Sequence, residues 1–267
     1  MQSIGGNVYS SFNDELKQKI IDNFDILNGI NLSEFKKAIK ESNTEKILNL
    51  MNIETEKDKD GLLIISEYKK HNIEDYFDQL GLNINELFKN IKEIKHSANF
   101  MRSKVTNLGN LRSIGGNANF NHSKVTSLGS LQSIGGDAIF SFSSVTDLGY
   151  LQSIGGKAHF RNSKITNLGH LQSIGNTALF DNSNVTDLGQ LQSIGGDANF
   201  IRSKITNLGN LQSIGGNAYF LGSKITDLGQ LQSIGKDADF RNSKISIRDI
   251  SKLKIGGEIK LDDCTAR

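Results

Sequence analysis

The 267-residue chain has no proline, no tryptophan and a single cysteine. At average usage about 13 prolines would be present, so their absence argues against a loop-rich fold with proline-stiffened turns. One cysteine forms no internal disulfide, and no Cys/His cluster offers a structural zinc site. No stretch approaches the roughly 20 apolar residues of a membrane helix. The opening Met-Gln-Ser-Ile-Gly-Gly lacks the basic and apolar regions of a signal peptide. A soluble, cytoplasmic protein with no membrane association is expected. Enzyme chemistry finds no support either. The histidines, His71, His96, His122, His159 and His170, show no metal-ligand spacing, and neither a phosphate loop nor a nucleophile elbow occurs. No catalytic residue and no cofactor is expected.

What the chain has in abundance is itself. Residues 111–130 read LRSIGGNANFNHSKVTSLGS, and residues 191–210 read LQSIGGDANFIRSKITNLGN. Eight such 20-residue units run without a gap from Ile91 to Ile250. A degenerate ninth, with Cys264 at its serine position, ends the chain, and Met1–Ser10 copies the first half of a unit. The domain division is therefore a partial repeat strand (1–10), a helical cap (11–90), an eight-repeat solenoid (91–250) and a C-terminal capping repeat (251–267).

Numbering each unit from its leading leucine puts apolar residues at positions 1, 4, 8, 10, 15 and 18. The alanine at position 8 and the phenylalanine at position 10 alternate as in a short strand with both side chains inward. Positions 15, 18, 1 and 4, spaced by three, suit a tight non-strand return path. The glycines at positions 5 and 6 supply a turn. One unit cannot bury its own apolar face, so stacked units must share a core. The expected fold class is α+β: a parallel-strand solenoid of eight to nine repeats with an N-terminal helical cap. Phe100, Phe120, Phe140, Phe160, Phe180, Phe200, Phe220 and Phe240 form its expected core file. Ser103 through Ser243, one per unit, are expected to satisfy backbone groups after the strand.

The pattern Ala-x-Phe-x-x-Ser-x-Ile-x-x-Leu-x-x-Leu resembles the leucine-rich repeat, with Phe for the second leucine and Ser for the usual Asn. Leu-Gly-Asn-Leu-Gln-Ser-Ile-Gly-Gly-Asp likewise resembles repeats of receptor-L-domain-like proteins. The resemblance implies a right-handed solenoid used as a binding scaffold, with no activity. The short unit and the serine for asparagine point to an extended rather than helical convex side. A triangular parallel β-helix is the alternative.

Copies that agree almost letter for letter inside differ most at positions 9, 11 and 12. Ile139, Phe142, His159, Arg161, Leu179, Ile201, Arg202, Tyr219, Leu221 and Arg241 lie there. Aromatics and arginine are what interface hot spots favour, so a partner-binding strand face is expected, its protein partner unidentified. Position 14 is lysine in six units. From residue 91 onward there are 20 basic and 13 acidic residues. Nucleic-acid binding along that lysine row is disfavoured, because acids interleave with it and stacking aromatics are few.

Residues 11–90 hold 11 basic and 16 acidic residues, and five segments in them show helical spacing. FNDELKQKIIDNFDIL, TEKILNLMNI, EYKKHNIEDYFDQLG and INELFKNIKEI are among them. Within this region Glu56-Lys-Asp58-Lys-Asp60-Gly61 to Glu67 partly matches a calcium loop, making Asp58, Asp60 and Glu67 weak candidate ligands. Glu56 is too long for the first ligand position, so no metal is expected. Finally, Asn7–Tyr9 is expected beside Ala98–Phe100 of the same chain, giving a capped monomer. Its rival is head-to-tail assembly, a structural role, through a neighbour's Glu258–Leu261.

Overall fold

A computed structural model describes residues 83–262 without interruption. Before them it describes residues 43–66 except Asn52, with isolated positions at 33, 34, 37, 38, 41, 68, 69 and 74. Each repeat makes one coil. Positions 3–4 form one short strand, such as Ser113–Ile114, and positions 8–9 a second, such as Ala118–Asn119. Coils stack in strict register: Ile154 pairs with Ile174, and Ala158 with Ala178, both in parallel. The products are an 11-stranded and a 10-stranded sheet. A third side carries only parallel bridges at position 17, for example Asp147 with Asn167 and Asn167 with Asp187. The chain is a parallel β-solenoid, and its return path is extended rather than helical. That path is also not strand-free as the three-residue spacing suggests. With only the position-4 isoleucine turned inward, a two-residue strand has no alternation to read.

Three corners turn the chain. At position 5 glycine is required by proximity, because a Cβ on Gly155 would overlap the carbonyl oxygen of Gly135 in the preceding coil. The next position is less strict, since Asn176 and Lys236 occupy it. Position 12 sits in the left-handed region in every coil, from φ 52° to 61°. The glycine at position 19 does the same. Its amide donates to the position-17 side chain, as from Gly149 N to Asp147 Oδ1 at 2.8 Å.

The core is the sum of six inward files. Phe100 to Phe240 stack coil on coil with centroids 4.9–5.7 Å apart and planes within 8°. These distances match the roughly 4.8 Å spacing of strands in a sheet. The serine file behaves differently from expectation. Ser103 accepts from Val105 N at 3.0 Å, but the buried hydroxyls of Ser123, Ser143, Ser163, Ser183, Ser203 and Ser223 have no partner. The serines' own amides are taken by backbone, as Ser163 N by Phe160 O at 3.1 Å and Ser103 N by Phe100 O at 2.9 Å.

The N-terminal region is partly helical and partly an extra rung. Helix α1 spans Thr44–Leu50, with Asn43 Oδ1 accepting from Lys46 N at 3.0 Å as its cap. Strand β1 (Thr55–Lys57) runs antiparallel to β2 (Leu63–Ile65), and β2 lies parallel to Ile91–Ile94. Strand β3 (Tyr68–Lys69) lies parallel to Ala98–Asn99. TEKILNLMNI thus contains the expected helix. INELFKNIKEI instead gives one turn, α2 (Asn85–Phe88), followed by the strand Ile91–Ile94. The misreading has a plain cause: positions 1 and 4 of a coil share the helix's spacing of three. FNDELKQKIIDNFDIL and Asn7–Tyr9 lie outside the described residues, but the place expected for Asn7–Tyr9 is filled. Ala98–Asn99 pairs with β3 on one side and Ala118–Asn119 on the other.

This region also caps the third side by imitation. Within the array, Thr126 N and Ser127 N donate to Thr106 O, and Lys124 N to Ser103 O. The first coil has no predecessor. There Thr106 N and Asn107 N donate to Asn85 Oδ1 at 2.8 and 3.2 Å, while Lys104 N and Ser103 Oγ donate to the buried carboxylate of Glu74. Phe88 O receives Asn110 N at 3.0 Å, and the Phe88 ring closes the phenylalanine file at 5.8 Å from Phe100. Open edge amides are costly when buried, and two side chains stand in for the missing carbonyls. At the other end helix α3 (Ile247–Ile250), capped by Ser246, replaces the third side of the last coil. The strands Lys254–Ile255 and Ile259–Lys260 then add the final rungs.

Candidate binding face

The Ala-x sheet turns position 8 into the core and position 9 outward, so one side chain per coil lines its outer surface. In register along the ladder these are Asn99, Asn119, Ile139, His159, Leu179, Asn199, Tyr219 and Asp239. Ile139, His159 and Leu179 are consecutive rungs, each half-buried by its neighbours. Position 11 adds Ile201 and Leu221 in the coils around Tyr219. The fold thus brings most of the expected face together as two apolar patches separated by Asn199.

Two of the arginines are bound to the face itself. Arg161 Nε donates to Asp181 Oδ2 at 2.6 Å, and Asp181 is only 4% exposed. Arg241 grips Asp239 with two bonds, Nε to Oδ1 at 2.9 Å and Nη2 to Oδ2 at 2.7 Å. That fork holds the Asp239 carboxyl below its ordinary range and the Arg241 guanidinium above its own. Burial pushes the His159 imidazole down, with the Asp137 carboxylate as the strongest opposing charge.

Phe142 and Arg202 lie off the sheet. Both occupy position 12, at φ 55° and 52°, on the corner that leads to the third side. Left-handed backbone costs a bulky residue on the order of 1–2 kcal/mol. Phe142 is 50% exposed and stacks on His122 of the preceding coil, centroids 4.9 Å apart and planes within 5°. A second pair escaped sequence reasoning. Tyr150, 63% exposed, stacks on His170 at 6.1 Å on the opposite corner. Both residues occupy position 20, and one coil's separation is the signal that pairs them.

Acids at position 7 are structural. Asp137 Oδ1 accepts from Lys157 N at 2.6 Å, and Asp197 Oδ1 from Asn217 N at 2.7 Å, each tying one coil to the next. The calcium-like loop joins two antiparallel strands, not two helices. Asp58 Oδ1 accepts from Asp60 N and Leu62 N, and Oδ2 receives Lys92 Nζ at 2.6 Å. Its carboxyl is held low chiefly by that lysine. Glu56 pairs with Lys95 at 2.6 Å, Asp60 is exposed, and Glu67 lies outside the described residues. Among the described residues no group of three or more His, Cys, Asp or Glu could hold a metal ion. No helix there is long and apolar enough to cross a membrane.

A rigid rod with one variable, partly apolar side defines the class: a repeat solenoid, a fold suited to presenting an extended surface. No protein-family model, curated protein or solved structure matches the chain.

Proposed function

We propose that the protein is a non-catalytic scaffold that captures a protein partner on the outer face of the Ala-x sheet. The observation that carries this is the location of the variation. Units that repeat the core file unchanged place Ile139, His159 and Leu179 on adjacent rungs, then Ile201, Tyr219 and Leu221 together. Unconstrained solvent positions would fill with polar residues; contiguous apolar side chains on a polar rod are what an interface core requires. Kinship with leucine-rich-repeat proteins and a cytoplasmic location belong to the same reading and rest on the residue pattern. The test replaces Leu179, Tyr219 and Leu221 with serine. Wild type should recover a defined partner from the native host, and the triple variant, with unchanged circular dichroism, should lose it. Recovery of the same partner by the variant would sink the assignment.

One observation favours a second reading, assembly through the chain ends. Ile259 and Leu261 in the last coil are 45% and 39% exposed, so this end is less well covered than the first. We propose a monomer nonetheless, since Lys254, Glu258 and Lys260 put charges on the final strands and blunt them. Light scattering over a concentration series decides between the two; mass growing with concentration would establish assembly.

A further inference from the structure

We propose that the corner between the Ala-x sheet and the third side binds single-stranded nucleic acid. The fold sets positions 12 and 14 on either side of the inward serine at 13, along one edge of the rod. Over the eight units these two positions hold eight Lys or Arg residues and no acid. At about 4.8 Å per coil the cationic edge is roughly 34 Å long and one side chain wide. Arg202, Lys124, Lys164, Lys224 and Lys244 enter no ion pair among the described residues, and Lys204 Nζ reaches only Asn184 Oδ1, at 2.6 Å. The acids that interleave in sequence stand elsewhere. Asp147, Asp187 and Asp227 lie beyond the position-16 threonines and cap Gly149, Gly189 and Gly229.

Two features show that this edge is more than solvated surface. Like charges on adjacent rungs repel, and at position 17 the chain relieves that by alternation. Asn167 Nδ2 donates to Asp187 Oδ2 at 2.9 Å, and Asn207 Nδ2 to Asp227 Oδ2 at 2.6 Å. At position 14 the relief is only partial: Ser144 and Asn184 interrupt the row, Asn184 Oδ1 accepting from Lys204 Nζ, but Lys204, Lys224 and Lys244 follow one another on consecutive coils. The second feature is Phe142. Three coils use Asn at this left-handed site and one uses Gly, the residues that tolerate it. Phe142 instead accepts the strain and holds a half-exposed ring, stacked parallel on His122, on the cationic edge. A flat ring beside a phosphate-tracking row is the recipe for stacking an unpaired base. A duplex keeps its bases stacked on each other and offers none to the ring.

The test measures anisotropy of a fluorescein-labelled dT20 strand, with duplex DNA and heparin as competitors. Affinity should fall with salt along a log–log slope of about −3 to −5, as expected when some five to seven phosphates are neutralised. Charge reversal at Lys124, Lys164 and Lys224 should weaken dT20 at least about 100-fold, and glutamine at the same sites should weaken it by a smaller factor. Phe142→Asn, which the backbone accepts, should weaken dT20 about 5- to 100-fold and leave heparin binding unchanged. The proposal is overturned if dT20 fails to bind at about 50 mM salt. It is overturned equally if duplex and heparin bind as tightly as dT20 and Phe142→Asn changes nothing, which would reduce the edge to a general polyanion strip.

Discussion

Replacing Phe180 with alanine probes the claim that the solenoid is held by its internal files. The ring is fully buried, between Phe160 at 5.1 Å and Phe200 at 5.2 Å, with planes within 6°. Removing roughly 150 Å² of apolar surface from burial, at about 25 cal/mol/Å², forfeits about 4 kcal/mol before alanine's own methyl is credited. A cavity term adds to this where the walls cannot collapse. Here they cannot, because the rungs on either side are pinned by Phe160 N to Leu179 O at 3.0 Å and Phe180 N to Asn199 O at 2.9 Å. The expected loss is therefore about 3–5 kcal/mol. Phe240 is the internal control. It stacks only on Phe220, at 4.9 Å, and the coil beyond it has no ring. Phe240→Ala should cost about half as much, since an end coil couples to one neighbour. Urea titration monitored by circular dichroism measures both, with the slope checked for loss of two-state behaviour. A loss below about 1 kcal/mol for Phe180→Ala, or equal losses at the two sites, would refute the reasoning.

Ser163→Ala should leave stability unchanged or raise it by up to about 1 kcal/mol, since the buried hydroxyl has no partner to lose; Ser103→Ala, which removes bonds to Val105 N and Glu74, should cost about 1–3 kcal/mol in the same titration. Gly155→Ala should abolish cooperative unfolding or lower Tm by more than about 5 °C, on the order of 2–3 kcal/mol in a chain this size, whereas Gly156→Asn, which copies Asn176 but brings a Cβ to 2.7 Å from the backbone of Gly136 and Asp137, should cost less. Burial holds the folded His159 below its ordinary value of 6.5, so below that pH the unfolded chain binds a proton the folded chain refuses. Stability must then rise with pH through this window, and urea midpoints between about pH 5 and 8 should show a slope that His159→Asn flattens.

How much of this is legible in the sequence depends on whether a feature obeys the period. The inward files do, and Phe100 to Phe240 are readable as a stack because eight copies repeat one letter. The strand at positions 3–4 obeys it too, but a two-residue strand with one inward side chain leaves no pattern to distinguish it from a turn. Position 12 hides its left-handed backbone behind Arg, His, Phe, Asn and Gly. The three asparagines and the glycine are the only hints, and without them the pattern sets Phe142 and Arg202 on the sheet. The caps obey no period at all. Glu74 and Asn85 occur once each, and nothing in their neighbours says that a carboxylate and an amide stand in for the carbonyls of a missing coil.

Parallel stacking also supplies a rule that reaches beyond the core. When every coil has 20 residues in strict register, residue i lies beside residue i+20, so the sequence becomes its own contact map. Arg161 with Asp181, Asn167 with Asp187, Asn207 with Asp227, His122 with Phe142 and Tyr150 with His170 are all such pairs. The rule separates side chains already engaged from those still available. It removes Arg161 from the free surface, and a two-residue fork to Asp239 removes Arg241. It leaves Ile139, His159 and Leu179 as one apolar run. It also leaves Lys224 and Lys244 with no acid one coil away, while Lys204 reaches only Asn184. Variation among copies is thus informative twice, once for what each residue is and once for what sits one coil away. A partner must be sought where neither the core nor the next coil accounts for the side chain.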